Sequence, residues 1–289
     1  MPIKVLVTGG RGRLARALSR VGGSNVHGLS STELDITNAA AIQFALERLR
    51  PDVVINAAAL SNVEASDTAP DRARSVNATA PGRMAQACDQ LGTPLIHIST
   101  DYVFGAETTK PWREADPVSP LNNYGRLKAE GERNVLAASD KVCIGRVAWL
   151  FGDGKDFIAN LLRGDAVTVK VAHDQTGSPT PIFLLAKRLL TLADRMNAGE
   201  AVPPVLHLAG SPPVARADWV AAAFEALQRS GKKTPKLMRV PMADFVGTTP
   251  RPNYSALDCN LATEFFGEEL NWHISTAQPE TFTEQTVSA

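Results

Sequence analysis

Three polar residues have the types and the spacing needed to move a proton at an alcohol oxygen. Tyr124 and Lys128 are four residues apart, so on a helix they share one face. An ammonium group beside a tyrosine hydroxyl lowers the tyrosine pKa, and such a tyrosine can give or take a proton at a carbinol oxygen. The Thr100 hydroxyl can hydrogen-bond the same oxygen. Because Tyr-x-x-x-Lys also occurs by chance on surface helices, its meaning depends on the elements around it.

The residues before Thr100 predict the strand that holds it. The apolar run 95–98 is typical of a buried strand, which puts Thr100 and Asp101 at its carboxyl end. In open α/β sheets, ligands bind at that edge. A proline-rich loop over 106–123 leads into a predicted helix over 124–138, which carries the tyrosine and the lysine.

The amino terminus has the order of elements that a dinucleotide-binding turn requires. A strand-like run at 4–8 is followed by small residues in the spacing Gly9-x-x-Gly12-x-x-Ala15, and a helix is predicted over 12–21. Small residues let the backbone approach a pyrophosphate, and the helix N-terminus offers free N–H groups to the phosphates. Since turns use glycine for many reasons, the placement directly after the first strand gives the pattern its weight.

Features near other predicted strand ends have two interpretations each. Asp35 either reaches the adenine edge of a cofactor or lies in a turn where Thr37 or Asn38 caps the next helix. Trp149 either stacks on a ligand or belongs to the core. Small residues after the predicted third strand leave room for a flat ligand or for a closely packed helix: Ala57, Ala58 and Ala59.

Two arginines in the glycine turn bear on the choice of cofactor. NAD-selective sites place Asp or Glu at the end of the second strand, whereas the corresponding residue here is the neutral Ser30. A guanidinium from Arg11 or Arg13 could pair with a 2′-phosphate in a charge-assisted way, or both could face solvent. We therefore predict a preference for NADP(H), with NAD(H) as the alternative cofactor.

The alternation of strands and helices predicts a Rossmann-like, doubly wound parallel sheet of the α/β class with a smaller C-terminal substrate domain. We expect residues 1–150, with a returning segment near 168–208, to form the dinucleotide-binding domain. The remainder of 151–289 is expected to bind the substrate. The last fifteen residues are polar and are expected to be partly disordered.

Composition excludes several classes of function. The 30 basic and 30 acidic residues balance, so the sequence does not favour a nucleic-acid partner. The most apolar runs are much shorter than a membrane span, and no metal-binding spacing is found. Three distant cysteines, and a strand that begins directly after the first residues, favour a reduced cytoplasmic setting without a signal peptide.

Motifs spread over nearly the whole chain resemble the dTDP-4-dehydrorhamnose reductase family of extended short-chain dehydrogenase/reductases. No single motif is decisive, but together and in this order they are specific. They are Thr-Gly-Gly-Arg-Gly-Arg-Leu-Ala at 8–15, Ile-Asn-Ala-Ala-Ala at 55–59, Ser-Thr-Asp-Tyr-Val-Phe at 99–104, Tyr-Gly-x-x-Lys at 124–128, Arg-x-x-Trp-Leu-x-Gly at 146–152, Asp-Gln-x-Gly-Ser-Pro-Thr at 174–180 and Arg-Pro at 251–252.

The resemblance implies a catalytic triad of Thr100, Tyr124 and Lys128 and sugar contacts from Thr100, Asp101 and Trp149. It implies a sugar-nucleotide substrate whose 4-keto group is reduced, and it leaves room for a homodimer. Some members bind Mg²⁺ at a dimer contact through an acid, and the matching residue here is Ala17. Together with the local patterns above, the residues expected at the cofactor are Gly9, Arg11, Gly12, Arg13, Leu14, Asp35, Ile36, Ala57, Ala58, Ala59, Leu60, Ser61, Tyr124 and Lys128.

Departures from the family pattern leave alternatives open. Gly105-Ala106 stands where the family has Asp-Gly, and Tyr254 replaces an Asn, which bears on the exact sugar nucleotide. A 4,6-dehydratase requires an Asp-Glu pair after the strand-end threonine, but Asp101 is followed by Tyr102. An epimerase explains the 99–104 motif less well. A non-catalytic nucleotide-binding subunit, like the regulatory subunit of methionine adenosyltransferase, is the alternative from another class.

Overall fold

The computed structural model describes residues 2–245 and 249–273. The predicted disorder of the last fifteen residues lies outside these ranges. The strands are β1 Val5–Thr8, β2 Val26–Leu29, β3 Val53–Asn56, β4 Leu95–Thr100, β5 Val142–Val147, β6 Leu150–Phe151, β7 Thr168–Ala172, β8 Thr176–Gly177, β9 Thr180–Pro181, β10 Val205–His207, β11 Val214–Ala215 and β12 Lys236–Val240.

Helices connect and cover the strands. They are α1 Arg13–Gly22, α2 Ala39–Leu49, α3 Ala65–Thr68, α4 Pro70–Arg74, α5 Ala80–Gln90, α6 Asn123–Leu136, α7 Phe157–Arg163, α8 Ile182–Asn197, α9 Arg216–Arg229 and α10 Asn260–Phe266. A π-helical turn, Ser75–Thr79, joins α4 to α5. Pro81 lies in the first turn of α5, where a missing N–H is tolerated.

Six strands form one parallel sheet in the order β10-β5-β4-β3-β1-β2. The chain runs outward from β1 to β2 and then returns to β3 on the other side of β1, which makes the sheet doubly wound. The switch point therefore lies between β1 and β3, and the crevice at their carboxyl ends is where such sheets bind ligands. The predicted fold class is confirmed.

Alternating apolar residues bury both faces of the sheet. Val5 and Val7 of β1 pack in a core with α1 and α8, whereas Leu6 faces the opposite core with α2 and α5. Side chains of successive strand residues point to opposite faces, so a strand that is apolar at every position needs helices on both sides. These two layers fix the strand ends that carry the glycine turn and Thr100.

A third core lies away from the large sheet, around Trp219 of α9. Strand β7 pairs there with β12 in parallel, while α8 packs on α1 and β10 pairs with β5. The segment 168–208 is thus split between the two regions, and the proposed domain boundaries stay a prediction. Among the described residues, no helix is long and apolar enough to cross a membrane.

Candidate active site

The glycine turn brings backbone close to the end of β3. Gly9 has a φ of +70°, and a Cβ atom there would lie 2.9 Å from Cα of Ala58, so both conformation and space require glycine. The N–H of Gly12 donates to the carbonyl of Gly9 at 2.6 Å, which closes the turn. No side chain caps the N-terminus of α1, so its first N–H groups remain available for an anion.

Beside this turn lies a cavity of about 690 Å³, here called the turn cleft. Nine of the residues predicted at the cofactor line it: Gly9, Arg11, Gly12, Asp35, Ile36, Ala57, Ala58, Ala59 and Leu60. The three small residues after β3 thus border an open cleft, as the flat-ligand interpretation predicts. Asn77 of the π-helical turn holds Leu60 in place through both of its backbone groups, at 2.9 and 3.1 Å.

Both interpretations of Asp35 hold in part. Its carboxylate accepts hydrogen bonds from the backbone N–H and the hydroxyl of Thr37, at 2.9 and 2.8 Å, and these bonds lower its pKa. The cap of α2 is Asn38, which accepts from the Ala41 N–H at 3.2 Å. Asp35 also lines the turn cleft, so its local turn does not remove it from the site.

The arginines are placed differently from one another. Arg11 lines the turn cleft and is joined there by Arg72 of α4, a residue that sequence reasoning missed. Arg13 turns away and pairs with Asp153 at 2.6 Å, and it also donates to the carbonyl of Leu150. Arg13 therefore does not point into the turn cleft, and it does not lie unpaired in solvent. Its partner lies 140 positions further along the chain.

The end of β2 is also organised differently from the prediction. Ser30 is buried, and its N–H and hydroxyl both donate to the Glu33 carboxylate, at 2.9 and 2.6 Å. These two hydrogen bonds lower the pKa of Glu33. Ser31, rather than Ser30, lines the turn cleft. The acid near this strand end is thus engaged with Ser30.

A second cavity, of about 590 Å³, continues from the first at Gly12, Ala57 and Ala59, and we call it the tyrosine cleft. It holds the remaining predicted residues, which come from α1, the segment after β3, β4, α6 and the segment after β5. They are Arg13, Leu14, Ser61, Thr100, Asp101, Tyr124, Lys128 and Trp149. All predicted site residues therefore lie in two adjoining cavities, while their individual roles stay predictions.

The start of α6 places Tyr124 against the end of β4. Asn122 caps the helix by accepting from the Gly125 N–H at 2.8 Å, which sets the first turn. The Tyr124 side chain lies close enough to the Thr100 hydroxyl for the two groups to interact. The Thr100 hydroxyl also donates to the Asp101 carboxylate at 3.0 Å. Two hydroxyl groups thus meet in the tyrosine cleft, as the motif predicts.

The predicted effect of Lys128 on the Tyr124 pKa is wrong. Burial raises the pKa of Tyr124, and the interaction with the Thr100 side chain opposes this shift without reversing it. The amine of Lys128 donates instead to the carbonyl of Ile98 at 2.7 Å and lies 3.3 Å from Nε2 of His97. Burial lowers the Lys128 pKa to about 8. The Tyr-x-x-x-Lys spacing predicts that both residues lie in one cleft. It does not predict that the Lys128 amine contacts His97 and Ile98 of β4.

Trp149 packs on the third core and also borders the tyrosine cleft, so its stacking on a ligand stays a prediction. Its ring lies 5.9 Å from that of Trp219 in the third core, and it also lines the tyrosine cleft. Its backbone has a φ of +37°, which is uncommon for a tryptophan. The ring rests against Gly177, where a Cβ atom would lie 2.4 Å from the indole. Packing therefore holds the indole at the edge of the cleft.

Two cations in the tyrosine cleft were not predicted as site residues. The Arg216 guanidinium stacks on Trp149 at 3.9 Å and has no hydrogen-bond or ion-pair partner among the described residues. Burial lowers its pKa to about 10. Arg251 donates to Glu64 at 2.6 Å, but its buried Nε likewise has no partner there. The Arg-Pro motif at 251–252 was a sequence signal for Arg251. No motif in the sequence signalled Arg216.

The residues present fit a dinucleotide and an anionic substrate. The glycine turn leaves backbone space that a Cβ would fill, and α1 presents uncapped N–H groups beside it. Arg216, whose buried Nε has no partner among the described residues, lines the tyrosine cleft. A buried donor of a cation without a partner is costly, so this cleft favours an anion.

A doubly wound parallel sheet with a Tyr-x-x-x-Lys helix beside a strand-end threonine defines the class of short-chain dehydrogenases/reductases. Residues 3–281 match the family described as the RmlD substrate binding domain. The chain therefore belongs to this family, that of the dTDP-4-dehydrorhamnose reductases, and the resemblance inferred from the motifs is confirmed.

Named relatives and solved structures agree with this assignment. The chain is 38% identical over 274 residues to dTDP-4-dehydrorhamnose reductase of Mycolicibacterium smegmatis, covering 91% of this chain and 80% of that one. It is 33% identical to the Aggregatibacter actinomycetemcomitans enzyme, with 91% and 93% covered. The crystal structure of the Clostridium acetobutylicum reductase superposes with a TM-score of 0.85 at 32% identity, covering 95% and 97%. The Bacillus anthracis reductase in complex with NADP gives 0.85 at 25% identity, covering 96% and 98%.

Proposed function

We propose that this protein reduces the 4-keto group of dTDP-4-dehydro-L-rhamnose to give dTDP-L-rhamnose, with NADP(H) preferred over NAD(H). The observation that carries the proposal is that Thr100, Tyr124 and Lys128 line one cavity, which shares Gly12, Ala57 and Ala59 with the turn cleft. The names of the relatives and the NADP bound to one of them support the substrate and the cofactor.

Each residue of the tyrosine cleft has a distinct task in this reaction. When bound, the nicotinamide cofactor supplies the hydride that reduces C4. Tyr124 gives its hydroxyl proton to O4, and the Thr100 hydroxyl orients the same oxygen. The raised pKa of Tyr124 keeps that proton in place until negative charge develops on O4. Lys128, one turn further along α6, would contact the cofactor ribose through its amine.

Two arginines of the tyrosine cleft suit the nucleotide diphosphate. Arg216 and Arg251 line this cleft and do not line the turn cleft. Guanidinium groups bind phosphate oxygens through charge-assisted hydrogen bonds, and a diphosphate would supply the counter-charge that Arg216 lacks among the described residues. Trp149, between Arg216 and the catalytic groups, would then contact the sugar.

The proposal is tested by the oxidation of NADPH in the presence of dTDP-4-dehydro-L-rhamnose and of GDP-linked and other 4-keto-6-deoxy sugars, with the products identified by NMR. We expect turnover with the dTDP substrate and a product reduced at C4. Tight binding of NADPH and dTDP without turnover of any substrate would favour the non-catalytic subunit. The homodimer and the cytoplasmic location remain predictions from the sequence.

A further inference from the structure

A line of buried polar side chains crosses the large sheet beneath the active site. On β1, the Thr8 hydroxyl donates to Asn56 Oδ1 of β3 at 2.7 Å. Asn56 Nδ2 lies 3.1 Å from Nδ1 of His97 on β4, and Nε2 of the same imidazole lies 3.3 Å from the Lys128 amine. All four side chains are buried. The line therefore joins the residue before the glycine turn to the lysine of the tyrosine cleft.

We infer that His97 is a positioning residue for Lys128. Its Nε2 atom, together with the carbonyl of Ile98, fixes two sides of the lysine amine and leaves one N–H for the tyrosine cleft. The Ile98 carbonyl accepts at 2.7 Å, and Lys128 itself lines the cleft beside Tyr124. A lysine on a flexible four-carbon stem gains its direction from such fixed partners.

The count of hydrogens shows why the imidazole suits this task in both charge states of the lysine. An ammonium group has three N–H donors: one for Ile98, one for a bare His97 Nε2 and one for the cleft. An uncharged amine has two, for Ile98 and the cleft, and its lone pair accepts from a protonated Nε2. Nε2 of His97 can accept or donate because the proton of a neutral imidazole lies on Nδ1 in one tautomer and on Nε2 in the other. Lys128 thus keeps one N–H toward the cleft throughout.

Asn56 sets which tautomer His97 adopts. In the structure, the Asn56 oxygen faces Thr8 and its NH₂ faces Nδ1, so Nδ1 accepts and Nε2 carries the proton. That arrangement suits the uncharged amine. A half turn of the Asn56 amide presents its oxygen to Nδ1, which then carries the proton and leaves Nε2 bare for an ammonium. The direction of the hydrogen bonds along the line therefore follows the charge of Lys128.

Other groups around Lys128 keep its charge adjustable near neutral pH. Burial lowers its pKa to about 8, and Glu132, one turn further along α6, acts in the opposite direction. The Glu132 charge is itself paired with Arg146 of β5 at 2.8 Å. From β4 and the cleft, His97, Asp101 and Tyr124 are the titratable groups nearby. Burial and the Lys128 charge both lower the pKa of His97, so its imidazole stays neutral.

Two substitutions of His97 separate positioning from simple packing. The amide of Gln reaches the place of Nε2, so His97→Gln can still accept from Lys128. The shorter amide of Asn reaches only the place of Nδ1, so His97→Asn keeps the contact with Asn56 and loses Lys128. This kinetic test rests on the proposed reductase function. We expect His97→Asn to lower kcat about tenfold, the scale of one lost hydrogen bond to a charged group, and to shift the pH profile of kcat. His97→Gln should stay within about threefold of wild type. Equal effects of the two substitutions on kcat and on its pH profile would overturn the inference.

An NMR measurement tests the same inference without catalysis. In protein labelled with ¹⁵N-histidine, the two ring nitrogens of His97 report its tautomer directly. We expect the tautomer to change as Lys128 titrates and to become independent of pH in Lys128→Met. The inference would be overturned if the His97 tautomer did not change with pH in wild type, or if it changed with pH in Lys128→Met just as it does in wild type. Either result would count even if His97→Asn fails to fold. If the tautomer change appears but no 4-keto sugar is reduced, the proposed function fails and the positioning of Lys128 stands.

Discussion

Replacing Arg216 by methionine should stabilise the free protein while weakening its hold on the nucleotide. The guanidinium stacks on Trp149, and its buried Nε has no partner among the described residues. Burial lowers its pKa from the ordinary arginine value to about 10, a difference worth about 3 kcal/mol. Because the charged form is the one disfavoured, this cost is present at every pH below about 10 and so at neutral pH.

Methionine removes the charge but keeps the contact with the indole. Its thioether packs on aromatic rings, so the variant loses only the cation–π part of the stack, about 1 kcal/mol. We therefore expect Arg216→Met to raise the free energy of unfolding by about 2 kcal/mol. The affinity for dTDP should fall by about ten- to a hundredfold, since one or two charge-assisted hydrogen bonds to the diphosphate are lost.

Thermal unfolding with and without dTDP, and calorimetric titration with dTDP, measure both effects. Arg239→Met is the matched control, because Arg239 is an exposed arginine paired with Asp218 outside both clefts. That variant should change neither quantity appreciably. A lower unfolding temperature for Arg216→Met, combined with unchanged dTDP binding, would show that Arg216 is a packing residue and refute the diphosphate assignment.

Three further predictions concern the catalytic groups and the cofactor. Tyr124→Phe should lower kcat by about a hundredfold or more while the Kd of NADPH stays the same; near-normal turnover would remove Tyr124 as the proton donor. Arg11→Ala and Arg72→Ala should each lower the affinity for NADPH by about tenfold and leave the affinity for NADH unchanged, because both residues line the turn cleft. Equal losses of affinity for the two cofactors would exclude a 2′-phosphate contact. Trp149→Ala should raise KM for the sugar nucleotide and spare the Kd of NADPH, whereas a variant that unfolds would assign Trp149 to the core.

The sequence predicts the parts of the site that follow from chain order and sheet geometry. Gly9 and Ala57 each come directly after a buried strand, Thr100 is the last residue of another, and the carboxyl ends of parallel strands meet at one edge. A helix then brings Tyr124 and Lys128 to the same edge because of their spacing. These predictions need only the periodicity of apolar residues and the rule that the carboxyl ends of parallel strands lie at one edge of the sheet.

The remaining features depend on contacts between distant segments. Arg216 reaches the cleft from α9, and no local pattern tells which way the first residue of a helix faces. The Arg13–Asp153 pair joins residues 140 positions apart. The raised pKa of Tyr124 depends on burial, which spacing alone does not give. Strand β12 escaped prediction because it is largely exposed and lacks the apolar run of the central strands.

The glycine beneath Trp149 gives the family a route by which sugar preference can diverge. Gly177 touches no catalytic group, yet a single methyl at this position would overlap the indole, which lies 2.4 Å from the place of a Cβ. Because Trp149 also lies under Arg216 and borders the tyrosine cleft, a displaced ring would change the shape of that cleft. We expect Gly177→Ala to alter the ratio of kcat/KM between 4-keto sugars of different size while NADPH binding stays constant. An unchanged ratio would mean that the indole does not border the sugar. Selection on one buried glycine could thus retune the substrate range while leaving the chemistry untouched.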